Sequence, residues 1–428
     1  MFFGIHANAK HSQGGEITYR HISDFTYEIS ITTYTKTSSY LADRPSLNSV
    51  YLGDGSYADF YRVFKINFQN DISKNIYLHQ HSYRGPGRYT IYFEDLNRDE
   101  NICNIPNSTM IPFSVKSEMV VFDPALNCIN NILYFVSVPV YFAQQGVDYK
   151  VNVGAIDSDD DSLSYQITSC LGAGHLPIPG YTLPAGVSLK SVNGEFIWQG
   201  SGMTSICEYN FAIRINEWRK GQNIGYVTRD FQVIVGNLID TSYSFTGSDS
   251  FPSDMFGNFV DTIQVGDTLK LALTYGGSLG ATPQLAVYGR AFYLSDPPAF
   301  STISSSYKKE GALQWVPSAN RISNNPYIFI FRGSSDFGEE ELSYSVYVPG
   351  IVADTCPTFS LIPEYGITYP EILLSPNPFL NTILLEFREN NAANVQLEIY
   401  DCIGRIVYAK TIFQMRQELN LAALNNGI

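Results

Sequence analysis

Short runs in which apolar and polar residues alternate recur along the whole chain. Tyr27, Ile29, Ile31 and Thr33 alternate with polar neighbours, and residues 60–68 (FYRVFKINF) form a second run, so each predicts a strand. A Gly-Pro-Gly turn at residues 85–87 feeds a strand over residues 89–93, and residues 113–122 close the series. Residues 10–122 therefore read as one β-sandwich. Residues 123–236 repeat the style, with runs at 139–167, 183–198, 207–221 and 229–235 separated by turn signals. About seven short strands at such spacing are what a sandwich requires.

Residues 237–350 read as a degenerate third copy. GALQWVP (311–317) echoes GEFIWQG (194–200), and NPYIFIFRG (325–333) echoes EYNFAIRIN (208–216). Repetition of one module points to an array of stacked domains rather than a single catalytic fold. Residues 351–370, with Pro357 and Pro363, read as a linker to a tail at 371–428. In that tail, residues 383–387 are an apolar run. Residues 395–413 alternate on both sides of Asp-Cys-Ile-Gly, which predicts a β-hairpin with Gly404 free to take positive φ.

Composition agrees with an all-β fold class of tandem sandwich domains plus a small C-terminal one. Aromatic residues make up 14% of the 428-residue chain and charged residues only 16%, and aromatic and β-branched side chains suit pleated, half-buried surfaces. The formal net charge of −14 repels phosphate backbones, so nucleic acid is not an expected partner. No run is long and apolar enough to predict a membrane-spanning segment. Residues 1–9 end in Ala7-Asn8-Ala9, a small-x-small pattern, and read as the remnant of a signal peptide.

Three patterns carry candidate chemistry. Asp157, Asp159 and Asp161, with Asp160 between them, crowd one loop. Alternating Asp residues supply several of the six to eight oxygens that Ca²⁺ takes, with further ligands expected from Glu217 or from the segment around Asp123. A solvated acidic turn is the plainer reading. Cys103, Cys128, Cys170 and Cys207 are the candidate disulfide residues, with Cys103–Cys128 and Cys170–Cys207 each within a reach that one sandwich could bridge. Six cysteines allow 15 complete pairings, so sequence leaves the pairing open. Trp198, Trp218 and Trp315 would serve as sugar-stacking platforms if exposed, but each falls in or beside an apolar strand, which favours core packing. His79 and His81 share a strand face without a third metal ligand in view. No nucleophile-elbow, zincin, Walker or dinucleotide pattern occurs, so the chain is read as non-enzymatic.

The tail resembles the type A sorting domain of Bacteroidota type IX secretion cargo. Pro376, Asn377, Pro378 and Phe379 match its opening block; Tyr400, Asp401, Gly404, Arg405 and Val407 match its hairpin; Leu421, Leu424, Gly427 and Ile428 match its closing block, where the sequence stops before a last strand. The resemblance implies export through the periplasm to the outer-membrane surface or medium, with the secretion machinery and its sortase-like protease as partners and surface lipopolysaccharide as an anchor. Gly14, Gly15, Glu16, Ile17 and Tyr19, with Pro86, Gly87, Tyr89, Ile91, Asp95, Asn97 and Arg98, resemble the N-terminal part of surface proteins associated with gliding motility. Gly146, Tyr149, Asp157, Asp159, Asp161, Leu163 and Tyr165, then Leu183, Pro184, Gly186, Ser188, Leu189, Asn193 and Gly194, resemble cadherin-like or immunoglobulin-like bacterial modules, which implies calcium as the only cofactor.

These readings converge on a secreted structural or adhesive protein, its polysaccharide or protein ligand unknown. The alternative is a secreted polysaccharide-binding or polysaccharide-degrading protein with the same tail. An exposed planar row of aromatic rings would favour that alternative, and buried tryptophans would favour the adhesin.

Overall fold

The computed structural model describes residues 12–350, apart from 40–41, 69–70, 96–97, 101, 127, 132, 136, 238–242, 256, 278–282, 324 and 336–337. In the tail it describes 372–375, 382–387, 395–400, 406–412 and 416–421. The chain forms two compact units, Met1–Pro363 and Glu364–Ile428. The described elements are strands joined by turns and a few single-turn 3₁₀ segments, so the all-β reading holds.

In the first unit the opening strands are β1 (Ser12–Ser23), β2 (Thr26–Lys36), β3 (Ser46–Tyr51), β4 (Tyr57–Phe68), β5 (Ile72–Ser82), β6 (Gly87–Asp95) and β7 (Phe113–Val121). The second group is β8 (Leu133–Phe135), β9 (Val140–Gln144), β10 (Tyr149–Asn152), β11 (Ala155–Asp157), β12 (Ser162–Thr168), β13 (Val187–Leu189), β14 (Glu195–Trp198), β15 (Cys207–Arg219) and β16 (Gln222–Gly236). The third is β17 (Ser244–Thr246), β18 (Phe259–Thr262), β19 (Leu269–Gly276), β20 (Gln284–Tyr288), β21 (Ala299–Ser305), β22 (Lys308–Trp315), β23 (Tyr327–Ser335) and β24 (Gly338–Tyr347).

The third group is a β-sandwich. One sheet runs β17-β19-β22-β21 and the other β18-β24-β23-β20, with β18 parallel to β24. This order is that of an immunoglobulin-type sandwich, four strands against three plus a parallel edge. Its core is closed by Leu271, Leu313, Trp315, Phe329, Phe331 and Tyr344. The second group repeats the order: β10-β14-β13 faces β9-β16-β15-β12, and β9 runs parallel to β16. The repeat seen in sequence is thus a repeat of topology.

The first group departs from expectation. Its strands run β1-β2-β5-β4-β3-β6-β7, and both ends of that row pair with β16: Met119 of β7 lies opposite Gly225, and Gly15 of β1 opposite Asp230. Residues 12–121 therefore form a barrel that is completed by a strand of the second module. The reason is visible at the Gly14-Gly15 pair. A Cβ on Gly14 would stand 2.6 Å from the Asp230 carbonyl oxygen, and one on Gly15 as close to that of Thr32. Only glycine lets β1 approach both neighbours there. The barrel interior is packed by Ile17, Ile29, Ile31, Phe60, Ile91 and Phe113 among others, all buried. Behind the join, Arg98 and Asp230 form a fully buried bidentate pair, at 3.1 Å (Nη1 to Oδ1) and 2.7 Å (Nη2 to Oδ2). The boundary placed at 122/123 is therefore a shared sheet and not a linker.

In the second unit, β25 (Ile372–Ser375), β26 (Thr382–Phe387) and β29 (Arg416–Asn420) make one sheet, in the order β25-β26-β29. β27 (Val395–Tyr400) and β28 (Ile406–Ile412) pair antiparallel as the expected hairpin.

Candidate functional site: an acidic junction

The acidic loop lies where all three modules meet. β11 ends on Asp157 and β12 begins at Ser162, and the turn between them is built on the Asp157 carboxylate. Its Oδ1 accepts the backbone N–H groups of Asp159 and Asp161, both at 2.8 Å, which folds the chain back on itself and puts Asp160 at φ 68°. The three following carboxylates then point in three directions. Asp159 accepts from Asn131, at 2.5 Å from the backbone N–H and 3.0 Å from Nδ2. Asp161 is held bidentate by Arg219 at the end of β15, Nε to Oδ1 at 2.7 Å and Nη2 to Oδ2 at 2.6 Å. Asp160 reaches the third module, accepting from Arg290 and from the Ser323 hydroxyl, while its carbonyl accepts from Asn325 Nδ2 at 2.5 Å.

Beneath the loop lies Glu217, fully buried on β15. Its Oε2 accepts from the Tyr19 hydroxyl of the barrel at 2.8 Å and from Asn130 Nδ2 at 3.2 Å. Burial, reinforced by the charges of Asp161 and Asp159, pushes the Glu217 carboxyl up to about 8. The Asp157 carboxyl is likewise raised well above the usual range by burial, then by Asp161 and Glu217. Arg219 is the cation paired with this group, also standing 3.7 Å from Asp159. Three buried oxygens, Asp157 Oδ2, Glu217 Oε1 and Asn130 Oδ1, have no hydrogen-bond partner. Buried acceptors left unpaired are costly and call for an account. Among the described residues, no three His, Cys, Asp or Glu side chains converge tightly enough to hold a metal ion as they stand.

Of the residues singled out by sequence, the structure brings Asp157, Asp159, Asp161 and Glu217 together. Asp123 does not join them; it is exposed and caps its own turn through Ala125 N–H. Asn130 and Asn131 were not foreseen, since an asparagine pair in an irregular segment carries no spacing signal. Beside the loop, a cleft of about 250 Å³ between the second and third modules is lined by Asp157, Asp160, Arg290, Asn325 and Tyr347.

The expected disulfide pairings are corrected. Cys103 is bonded to Cys207, with Cα atoms 6.2 Å apart, and not to Cys128. The segment after β6 crosses to β15, where Cys103 N–H meets the Glu208 carbonyl at 2.9 Å, so the bond ties the barrel to the second module. Cys128 is disulfide-bonded as well. Cys170 is a free, buried thiol packed with Ile102, Ile105 and Ile178. Trp198 and Trp315 are buried in the two sandwich cores and their indole N–H groups donate to the Ala185 and Asp296 carbonyls. Trp218 is half-buried and donates to Ser164. His81 is spent on Asp54 at 2.8 Å. Of the tail's sorting residues, Tyr400 ends β27; Pro376, Asn377, Pro378, Asp401, Gly404, Arg405 and Gly427 lie outside the described residues, as do residues 1–9.

Residues 374–428 match the family described as the secretion system C-terminal sorting domain. The chain thus carries a sorting tail of the type IX system, which marks it as a secreted protein, directed to the cell surface or beyond and served by that machinery. No curated protein matches the chain. Among solved structures it is similar to the crystal structure of Dpr2 Ig1-Ig2 in complex with DIP-Theta Ig1-Ig3, at 7% identity, covering 75% of this chain and 94% of that one, with a TM-score of 0.17. So distant a likeness carries no weight here, and the immunoglobulin-type reading rests on the strand order above. Among the described residues, no helix is long and apolar enough to cross a membrane.

Proposed function

We propose that the chain is a non-catalytic structural or adhesive protein of a Bacteroidota cell surface, whose modules are locked at the acidic junction by a calcium ion. The observation that carries the reading is the set of buried oxygens without partners, Asp157 Oδ2, Glu217 Oε1 and Asn130 Oδ1, in a group of carboxylates that outnumbers its paired cations, Arg219 and Arg290. A hard divalent cation with oxygen ligands answers both the unpaired acceptors and the excess negative charge. Asp157, Asp159, Asp161, Glu217 and Asn130 would hold it, and Arg219 would leave Asp161 to admit it. The ion would supply charge neutralisation and rigidity at the junction. The likeness of residues 14–19 and 86–98 to gliding-associated surface proteins fits such a role. Sortase-like cleavage of the tail and attachment to surface lipopolysaccharide belong to the same proposal.

The polysaccharide-binding alternative keeps one specific support. Tyr57, Tyr51, Tyr92 and His175 form a row across the barrel's outer face, with Tyr51 and Tyr92 stacked at 4.5 Å. Those rings face one another instead of lying flat as a platform, and Trp198 and Trp315 are buried, so the adhesive reading is preferred.

The test is calcium titration of the full chain, followed by heat of binding and by thermal unfolding. Saturable binding is expected, with about 2.7 kcal/mol of stabilisation at a hundredfold excess over Kd. Both signals should vanish in Asp159→Asn/Asp161→Asn. A wild-type chain that shows neither heat nor a higher melting temperature refutes the calcium site.

A further inference from the structure

Among the described residues, the second half of β4 has an open edge. β3 covers β4 only at residues 57–61, where Ser46 stands opposite Tyr61, and the last backbone hydrogen bond on that side is Arg62 N–H to the Pro45 carbonyl at 2.9 Å. Among the described residues, no strand pairs with residues 63–68 on that side. On the other side the same half-strand is held by β5, with Phe64 opposite Ile76, Ile66 opposite Lys74 and Phe68 opposite Ile72. A bulge at Val63 resets the alternation, so that Tyr61, Phe64, Ile66 and Phe68 share one face. Solvent reaches that face: Tyr61 is 64% exposed, Phe64 47%, Ile66 40% and Phe68 38%.

Proteins usually blunt such an edge with charge, proline or a cover. Residues 63–68, VFKINF, contain no proline and one charge, and that charge, Lys65, is drawn away to Asp43 at 2.9 Å. The interior of the barrel gains nothing from three apolar side chains pointing outward.

We propose that this edge joins two copies of the chain, β4 against β4, antiparallel and centred on Ile66. A two-fold axis perpendicular to the sheet keeps each face on its own side, so the axis must pass through a residue position. Centred on Ile66, it sets Ile66 against itself, Phe64 against the second copy's Phe68, and Lys65 against the second copy's Asn67. Aromatic pairs and the isoleucine pair then fall on the bare face, where cross-strand contacts stabilise a sheet. Centring on Lys65 would oppose two ammonium groups. Centring on Phe64 would drive Ile66 onto Arg62, whose edge Pro45 already occupies. Of these three registers only the one centred on Ile66 meets neither obstacle. It holds no acidic residue, and the net charge of −14 is screened beyond about 8 Å at physiological salt. The inference is independent of the calcium site.

The experiment uses the full chain and two measurements. Light scattering should give twice the 47.8 kDa of one chain for the wild type and a single mass for Phe64→Thr/Ile66→Thr/Phe68→Thr, a set that keeps β-propensity; an unchanged melting curve for that variant shows that it folds. In addition, Ile66→Cys should yield a disulfide-linked dimer on mild oxidation, since directly opposed antiparallel positions lie within disulfide reach, while the wild type under the same oxidation should not. A wild-type chain that is monomeric at every concentration overturns the proposal. So does a dimer that survives the triple substitution, or an I66C chain that forms no cross-link.

Discussion

The second and third modules share a core and differ at their ends. In both, a tryptophan ends an inner strand of one sheet, β14 in the second module and β22 in the third. Trp198 lies 4.9 Å from Tyr209 and 5.5 Å from Phe211; Trp315 lies 4.9 Å from Tyr327 and 5.8 Å from Phe329. The indole N–H in each donates to a backbone carbonyl of a preceding loop. The final hairpins differ: β15 and β16 have 13 and 15 residues, whereas β23 and β24 have 9 and 10. The extra length is what pairs with β7 of the barrel, and it carries Glu217 and Arg219 to the acidic loop. The repeated core therefore specifies a sandwich, and the departures from the repeat build the junction. A core cluster is a local packing solution; a joint needs strands that outrun their own module.

The largest expected effect tests that division. Trp198→Ala and Trp315→Ala should each cost about 3–5 kcal/mol, the usual range for emptying a large aromatic site in a core. Their reach should differ. Because β16 belongs both to the second sandwich and to the barrel, Trp198→Ala should lower hydrogen-exchange protection in β1 and β7 as well as in β15. Trp315→Ala should lower protection only in β19 and β22 to β24. If the barrel amides keep full protection in Trp198→Ala, the two modules are not one cooperative body.

A smaller loss is expected at the covalent tie. Cys103→Ser/Cys207→Ser opens a loop of 104 residues and should cost about 2–4 kcal/mol. Urea unfolding of the oxidised wild type and of this double variant makes the comparison. Since the bond links barrel to sandwich, the loss should appear in their joint transition, while the third module's melting stays where it was. A uniform loss across all three modules would remove the distinction between a fused joint and a merely adjacent one.

Much of this was legible in the sequence, and the remainder was hidden for physical reasons. The alternation at Tyr27 to Thr33, the echo of GEFIWQG in GALQWVP and the hairpin after Val395 are local signals, and each marks a strand or pair that the structure contains. The Asp157 to Asp161 loop was visible as a cluster, and Glu217 as one of its partners. Barrel closure was not, because the pairing of Gly15 with Asp230 joins positions more than two hundred residues apart and changes no local period. The Gly14-Gly15 pair was its only trace. The Cys103–Cys207 bond followed from that closure and was missed with it. The run at residues 60–68 predicted a strand, but periodicity gives no sign of whether its last half has a neighbour.

The smallest effect separates the acidic junction from the cores. An unfolded glutamate ionises near 4.5, whereas the folded Glu217 keeps its proton until about 8. Across that window the native state binds the extra proton, so calcium-free stability should fall as pH rises, by at most about 1.4 kcal/mol per pH unit from this one group, and level off above its folded pKa. Glu208, pushed up to about 7 by burial and by Asp99, adds in the same direction over a narrower window. Glu217→Gln cannot ionise, and its stability curve should therefore be flatter than the wild type's between about pH 5 and 8, the difference isolating this residue. Calcium favours the ionised carboxylate, so saturating ion should flatten the wild-type curve in turn, and affinity should climb with pH as the proton is given up. A wild-type curve that matches Glu217→Gln in calcium-free buffer would mean that Glu217 is already ionised in the fold. The Tyr19 and Asn130 donors would then be enough to hold the carboxylate ionised, and the junction would stand without an ion.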